Sequence, residues 1–437
     1  MAESYDAIII GAGIIGAATA YELSKAGRRT LSLDRLPAAG YGSTGASCAI
    51  IRTHYSTLDG AALAYEGFFY WQDWPGYIGV EDESGLAEFH ETGAMVMKTE
   101  ANGFLEPICR NMEALGIPYE SWGPEQVKAR LPVYDLGRYG PPKLPDDPAF
   151  GQAEGAVPGA VFFPCAGYIS DPQLATHNLQ RAAEAEGATF RFNSQVAEIL
   201  KDGGPGNERT RGVRLTSGEE ILAPVVVNVA GPHSYKINEM AGVTGDMNIS
   251  TRALRQEVTH VPSPPGFDFE RDGLVTSDSD IGCYCRPELG NHILIGSEDP
   301  ECDEREWVDP DDYNKDFTEQ WSVQAQRVAQ RIPSLGIPSR MKGVVDLYDV
   351  SDDWIPIYDK SALGGFYMAI GTSGNQFKNA PVAGKMMAAL IDHCEAGADH
   401  DAEPLQFELE RSGRSIDVGF YSRRRQINEE SSFSVLG

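Results

Sequence analysis

Three glycines, spaced as Gly11-x-Gly13-x-x-Gly16, stand directly behind the apolar run of residues 6–10. That run, DAIII, reads as a buried parallel strand. Residues 17–27 (AATAYELSKAG) then read as a helix with Gly27 as its stop. Residues 29–34 (RTLSLD) read as the next strand, ending on an acid. The whole is a βαβ unit with a phosphate-binding turn. Gly11 permits the tight turn, Gly13 lets a pyrophosphate approach the backbone, and Gly16 lets helix pack on strand. The first helical turn, at Ile14 and Ile15, offers amides and a positive dipole to that pyrophosphate. Asp34 is placed to accept from ribose hydroxyls, with Arg35 beside it. This unit alone leaves open which dinucleotide is bound.

Further along, residues 40–48 (GYGSTGASC) form a glycine- and serine-rich loop, followed by AIIRTHYS. Residues 60–75 carry Tyr65, Phe68, Phe69 and Trp71 on a helix. Segments 140–160 read as loops. Asp171 caps a helix over 171–187 with Pro172 at its first position. Residues 189–200 are strand-like, and 212–231 read as a hairpin followed by a buried strand. An amphipathic helix is expected near 318–331. A strand, a glycine loop and a helix follow over 365–390.

Four of these segments come in an order that resembles the flavoproteins of the D-amino-acid oxidase (DAO) superfamily. They are STGASCAIIRTHY (43–55), GYISDPQLA (167–175), VVVNVAGPHS (225–234) and GFYMAIGTSGNQFK (365–378). The resemblance runs from residue 5 to about 395 and is greatest to the sarcosine and dimethylglycine oxidase or dehydrogenase branch. It implies a mixed α/β fold with a Rossmann-like FAD-binding domain and an antiparallel-sheet substrate-binding domain. The first would be discontinuous, from 1–81, 166–245 and 346–400. The second would comprise 82–165 and 246–345, leaving 401–437 as a C-terminal tail, with Ser422–Arg425 either docked on the acidic surface or another subunit, or frayed.

The resemblance also implies site residues. Ser43 and Thr44 match positions that contact the flavin phosphates, and Val196 a strand residue that meets the adenine through its backbone. Ala230 and Gly231 lie beside the pyrophosphate region. The loop from Gly371 through Gly374 and Asn375 to Gln376 would turn backbone amides toward the flavin pyrimidine edge, where reduced flavin is anionic. Arg52 matches an arginine that grips the substrate carboxylate, and Lys378 a second cation for the same group. A fork and a point charge suit a carboxylate. His54 and Tyr55 follow Arg52, and a neutral histidine there would steer the amine or accept a proton. Tyr284 lies on a strand expected over the flavin and is placed to line the pocket. Cys283 and Cys285 on that strand are expected on opposite faces, as structural thiols that do not bridge.

Two positions depart from the branch. Asp346 stands where monomeric sarcosine oxidases carry the cysteine that attaches FAD, so FAD is expected to bind noncovalently. Leu294 stands near the position of their oxygen-activating lysine, so either O2 or another electron acceptor serves. The expected activity is FAD-dependent oxidation of the C–N bond of an N-methyl or cyclic amino acid. A 2-hydroxy-acid dehydrogenase, a nicotinamide-dependent enzyme and a non-catalytic flavoprotein are the alternatives.

The formal charge is −28, from 36 Lys and Arg against 64 Asp and Glu. Such a surface repels phosphate backbones and anionic lipid, so neither nucleic acid nor membrane is an expected partner. Seven cysteines, an odd number without zinc spacing, suit a reducing compartment. The acidic start MAESYD lacks the basic character of a signal peptide. The expectation is a cytoplasmic enzyme, alone or as a homo-oligomer, with a small amino acid as its partner.

Overall fold

In the strand Ala7–Ile10 every residue is buried, because both faces of the sheet it belongs to are covered. Ala7 and Ile9 face one core cluster, Ile8 and Ile10 the other. The computed structural model describes residues 3–204 and 206–436. Ala7–Ile10 lies within a six-stranded sheet, in the order Thr189–Arg191, Thr30–Leu33, Ala7–Ile10, Val225–Asn228, Phe366–Ile370, Ile357–Lys360. The first five strands are parallel and the last is antiparallel. Helices Ile14–Lys25, Pro172–Ala185 and Ala380–Glu395 pack together on one face. Ile14–Lys25 and Ala380–Glu395 cross closely: a Cβ on Gly384 would sit 2.6 Å from the Ala18 carbonyl oxygen. A smaller sheet, built on Val196–Asp202, Arg209–Leu215 and Glu220–Leu222, covers the other face.

The second body is a nine-stranded, almost wholly antiparallel sheet. Its long central strand Thr251–Pro262 pairs on one side with His292–Ser297 and on the other with Gly343–Ser351. Cys283–Glu288, Val275–Asp278, Ala94–Met97 and Ala160–Phe163 continue it outward. The helix Glu319–Arg331 covers one face through Trp321, Ala325 and Val328. A three-stranded ribbon of Ile50–Ile51, Gly167–Ile169 and Phe89–His90 joins the two bodies.

Two details correct the sequence reading. Gly343–Ser351 runs across the expected boundary at 345/346, and its nine residues pair with Thr251–Thr259, so it belongs to the large sheet. Cys283 and Cys285 share one face, packed into the cluster beneath Glu319–Arg331, while Tyr284 between them faces the opposite cluster. Strand side chains repeat every two residues, so positions i and i+2 coincide. Both thiols are free.

Residues 401–436 are anchored. Gln406–Leu409 and Arg414–Asp417 form a hairpin. Beyond it Arg423 is fully buried against Asp246, Asp359 and Asp401. Ser422–Arg425 therefore dock within the chain. Among the described residues no helix is long and apolar enough to cross a membrane.

Candidate functional site

A cavity of about 700 Å³ runs from the glycine turn to the inner face of the large sheet. Its turn end is built by close backbone packing. Gly11 has φ +114°, and a Cβ there would lie 2.3 Å from the Val229 carbonyl oxygen. A Cβ on Gly16 would lie 2.1 Å from the Gly11 carbonyl oxygen. The helix Ile14–Lys25 starts at Gly13 with no side-chain cap on its own N-cap residue. Its first amide, that of Ile14, donates to Thr44 Oγ1 at 3.2 Å. The next amides have no helical carbonyl to reach and open toward the cavity, a ready anion seat. Asp34 clasps the turn: its carboxylate oxygens accept from the amides of Ala12 and Leu36, both at 2.8 Å.

Gly11, Gly13, Ile14, Ile15, Gly16, Asp34 and Arg35 all line this end, with Ser43, Thr44, Val196, Ala230 and Gly231. The loop carrying Pro310, Asp311 and Tyr313 reaches over from the large sheet and closes it. Asp311 binds Arg35 at 2.5 Å, Lys236 at 2.6 Å and His233 at 3.0 Å. Lys236 first and then Arg35, with a weaker hydrogen bond from His233, hold its carboxyl well below the usual carboxylate range.

At the other end the structure brings together side chains far apart in sequence. Arg52 and Lys378 flank the ring of Tyr55, at 4.3 and 5.2 Å from its centroid. Arg52 donates to the carbonyls of His54 and Val435, the latter at 3.0 Å. Lys378 Nζ meets Tyr55 Oη at 2.9 Å and donates to the Asn375 carbonyl. Both cations are buried, and among the described residues neither hydrogen-bonds a carboxylate. Burial lowers the pKa of each, and Arg52 lowers Lys378 further. His54 stacks on Phe163 with ring centroids 4.3 Å apart, and its Nδ1 has no partner. Burial, then Arg52 and Lys378, hold it well below the usual histidine range, so it is neutral.

Arg52, His54, Lys378, Gly374, Asn375, Gln376 and Tyr284 line the cavity; Tyr55 and Gly371 do not. Tyr55 sits behind the two cations, its hydroxyl donating to the Asn375 carbonyl at 2.8 Å. Gly371, with φ +67°, has its amide engaged by Asp349 Oδ2 at 2.7 Å. Tyr284 Oη lies 3.5 Å from Cys48 Sγ and 3.4 Å from Tyr348 Oη. Asp346 lines the wall and accepts from Ser43 Oγ at 3.4 Å. Leu294 lies outside the lining, packed with Leu254 and Val258.

Among the lining residues that escaped the sequence reading are Asp349, Tyr348 and Val435. Asp349 has one orphaned oxygen, Oδ1, and burial pushes its carboxyl up to about 7. Tyr348 packs flat on Gly374, where a Cβ would sit 2.6 Å from its ring. Val435 reaches the cavity from the far end of the chain.

The cavity fits a flavin dinucleotide. Uncapped helical amides wait at one end, and Gly13 leaves room for close approach. On three lining residues, His54 Nδ1, Asn375 Nδ2 and Asp349 Oδ1 are buried atoms without partners among the described residues. Buried polar atoms of that kind call for a ligand.

Glu298 lies just behind the wall. It accepts from Ser277 Oγ at 2.7 Å, the Asp278 amide at 2.9 Å and Ser279 Oγ at 2.9 Å. Burial raises its carboxyl from 4.5 to about 7. The folded state then holds a proton that the unfolded state has lost across that interval. Its contribution to stability therefore falls as pH rises from about 4.5 to about 7 and is flat above. Glu298→Gln is expected to flatten that part of the profile. Urea midpoints of both proteins between pH 5 and 8 check this; parallel profiles would refute it.

The family model described as FAD dependent oxidoreductase (DAO) matches residues 6–390. The sarcosine oxidase subunit beta of Arthrobacter sp is 26% identical over 425 residues, covering 95% of this chain and 93% of that protein. The crystal structure of L-proline dehydrogenase from P. horikoshii superposes with a TM-score of 0.75 at 20% identity, covering 97% of this chain and 98% of that one. Glycine oxidase from Geobacillus kaustophilus gives 0.71 at 18% identity, covering 98% and 100%. With the family model spanning the turn, both sheets and the cation pair, this chain belongs to the DAO family of FAD-dependent oxidoreductases.

Proposed function

We propose that the enzyme oxidises the C–N bond of a secondary or tertiary amino acid, N-methylated or cyclic, to an imine (an iminium ion from a tertiary amine) that water then hydrolyses. One observation carries this reading: two buried cations, Arg52 and Lys378, converge on the cavity, and among the described residues neither hydrogen-bonds a carboxylate. Desolvating two positive charges is costly, and an entering carboxylate relieves it. FAD, when bound, supplies the two-electron acceptor that takes a hydride equivalent from the carbon next to nitrogen. Arg52 and Lys378 hold the substrate carboxylate and so fix which carbon faces the cofactor. Tyr55 keeps the two cations apart and at a set height. His54, neutral and with Nδ1 open, accepts a hydrogen bond from the amine without adding a third positive charge. Tyr284 and Tyr348 wall the opposite side and keep water out. The names of the similar proteins, sarcosine oxidase and proline dehydrogenase, support an N-alkyl or cyclic amine as substrate.

The test is anaerobic bleaching of the flavin by a panel of sarcosine, dimethylglycine, proline, D-amino acids and 2-hydroxy acids. Bleaching by an N-alkyl or cyclic amino acid is expected. Bleaching by hydroxy acids alone would overturn the amine reading, since the same clamp holds both classes. Readmitting air then separates oxygen from another acceptor.

Asp346 in the wall also predicts noncovalent FAD. Acid precipitation should leave all the yellow colour in the supernatant, and a yellow pellet would refute this.

A further inference from the structure

The carboxylate end of the cavity already holds a peptide oxygen. The Val435 carbonyl accepts from Arg52 Nη2 at 3.0 Å. The Val435 side chain is buried in a cluster with Cys48, Tyr284 and Trp354, and Leu436 lines the cavity beside it. This segment arrives from a firm anchor. Arg425 binds both oxygens of Asp353, at 2.7 and 2.8 Å, and donates to the Ile355 carbonyl at 2.7 Å. Past Asn428 the hold thins. Arg305 donates to the Phe433 carbonyl at 2.9 Å, while the serines at 431, 432 and 434 bond within the segment itself. A stretch tightly fixed at Arg425 thus reaches, with few hydrogen bonds to the rest of the chain, a donor of the cation pair.

We propose that residues 431–436 are a tethered ligand of the substrate site. The Val435 carbonyl covers the Arg52 fork until a substrate carboxylate replaces it, and the segment then leaves the cavity. The inference rests on the proposed role of Arg52 in holding a carboxylate. A carbonyl is a neutral acceptor with one oxygen for the fork. A carboxylate is charged and takes two parallel hydrogen bonds, which are roughly twice as strong. The tethered group therefore loses to the right ligand but outlasts water. A short tether presents its end at an effective concentration on the order of millimolar. The segment thus competes at the concentrations where weakly held amino acids bind, and it sets the level of substrate needed to open the site.

The test uses the flavin-loaded full chain, a chain lacking residues 431–437, and Val435→Gly, which weakens the seat without removing the segment. Acetate is titrated into each and followed by the perturbation of the flavin absorbance. Acetate should bind the shortened chain about three- to tenfold tighter than the full chain, with Val435→Gly between them. Amide hydrogen exchange of 431–436 in the full chain should accelerate at saturating acetate. Equal acetate affinity in all three proteins, or exchange that acetate leaves unchanged, would overturn the proposal. Should the shortened chain fail to hold flavin, Val435→Gly and the exchange measurement decide alone. Acetate that binds none of the three would instead remove the carboxylate reading of Arg52, and this inference with it.

Discussion

Arg52→Ala is expected to lower kcat/KM by roughly 30- to 5,000-fold while the protein keeps its full complement of FAD. The range follows from losing one side of a buried, hydrogen-bonded charge pair with the substrate, an effect of about 2–5 kcal/mol. Two features make the loss specific. Arg52 makes its hydrogen bonds to backbone carbonyls, those of His54 and Val435, so its removal strands no buried anion. Its charge is desolvated and already depressed in pKa, so the folded protein gives up little stability without it. The melting temperature should therefore change little while turnover collapses, mainly through KM. Arg52→Lys should recover only part of the activity, because an ammonium cannot present two parallel donors. Lys378→Met should also be impaired, through the second cation of the clamp. Kinetics of Arg52→Ala that match the parent enzyme would remove the clamp. Loss of FAD together with activity would mean that Arg52 supports the cofactor fold instead.

Much of this site could be read from local pattern, and the reason is physical. The turn at Gly11 to Gly16 and the buried strands at 7–10 and 225–228 are set by steric rules acting within a few residues. Arg52 and Lys378 each stand in a motif whose neighbours fix their setting. Other features depend on packing between distant segments. Asp349 turns its orphaned oxygen to the cavity because Gly343–Ser351 pairs with Thr251–Pro262, a partner roughly 90 residues away in sequence. The alternation in GVVDLYDVS is too polar to announce a strand of a large sheet, and the expected boundary fell inside it. Gly371 looked like a donor to the cofactor, yet its amide is taken by Asp349. Tyr55 follows Arg52 closely but packs against it outside the cavity lining. Whether Ser422–Arg425 docks or frays stays open in the sequence because the partners of its arginines, Asp246, Asp353, Asp359 and Asp401, are scattered along the chain. Only the folded arrangement gathers them.

Gly11→Ala is expected to abolish FAD retention, with bound flavin falling below about a tenth of the parent level. Two costs combine at this position. The φ of +114° is strained for any residue with a Cβ, at about 1–3 kcal/mol. The added Cβ would also lie 2.3 Å from the Val229 carbonyl oxygen and 2.8 Å from the Val229 carbon, both backbone atoms. Neither can rotate away. Relief requires the strand Val225–Asn228 to part from Ala7–Ile10, or the turn to rise into the space a pyrophosphate would use. The second route is cheaper, because the parallel pairing of these strands is central to the sheet. The chain should therefore stay folded and lose its phosphate seat. Gly27→Ala is the control: φ is +81°, also strained, but nothing lies within 4 Å of its Cβ. That variant should keep its flavin and lose only about 1 kcal/mol of stability. Flavin-to-protein ratios after gel filtration, with far-ultraviolet circular dichroism to verify folding, decide between the two costs. Equal flavin loss in both variants would mean that backbone strain alone is at work. Full retention by Gly11→Ala would mean that the turn does not seat the dinucleotide phosphates. Loss in Gly11→Ala alone would tie the cofactor to the close approach of Gly11 and Val229.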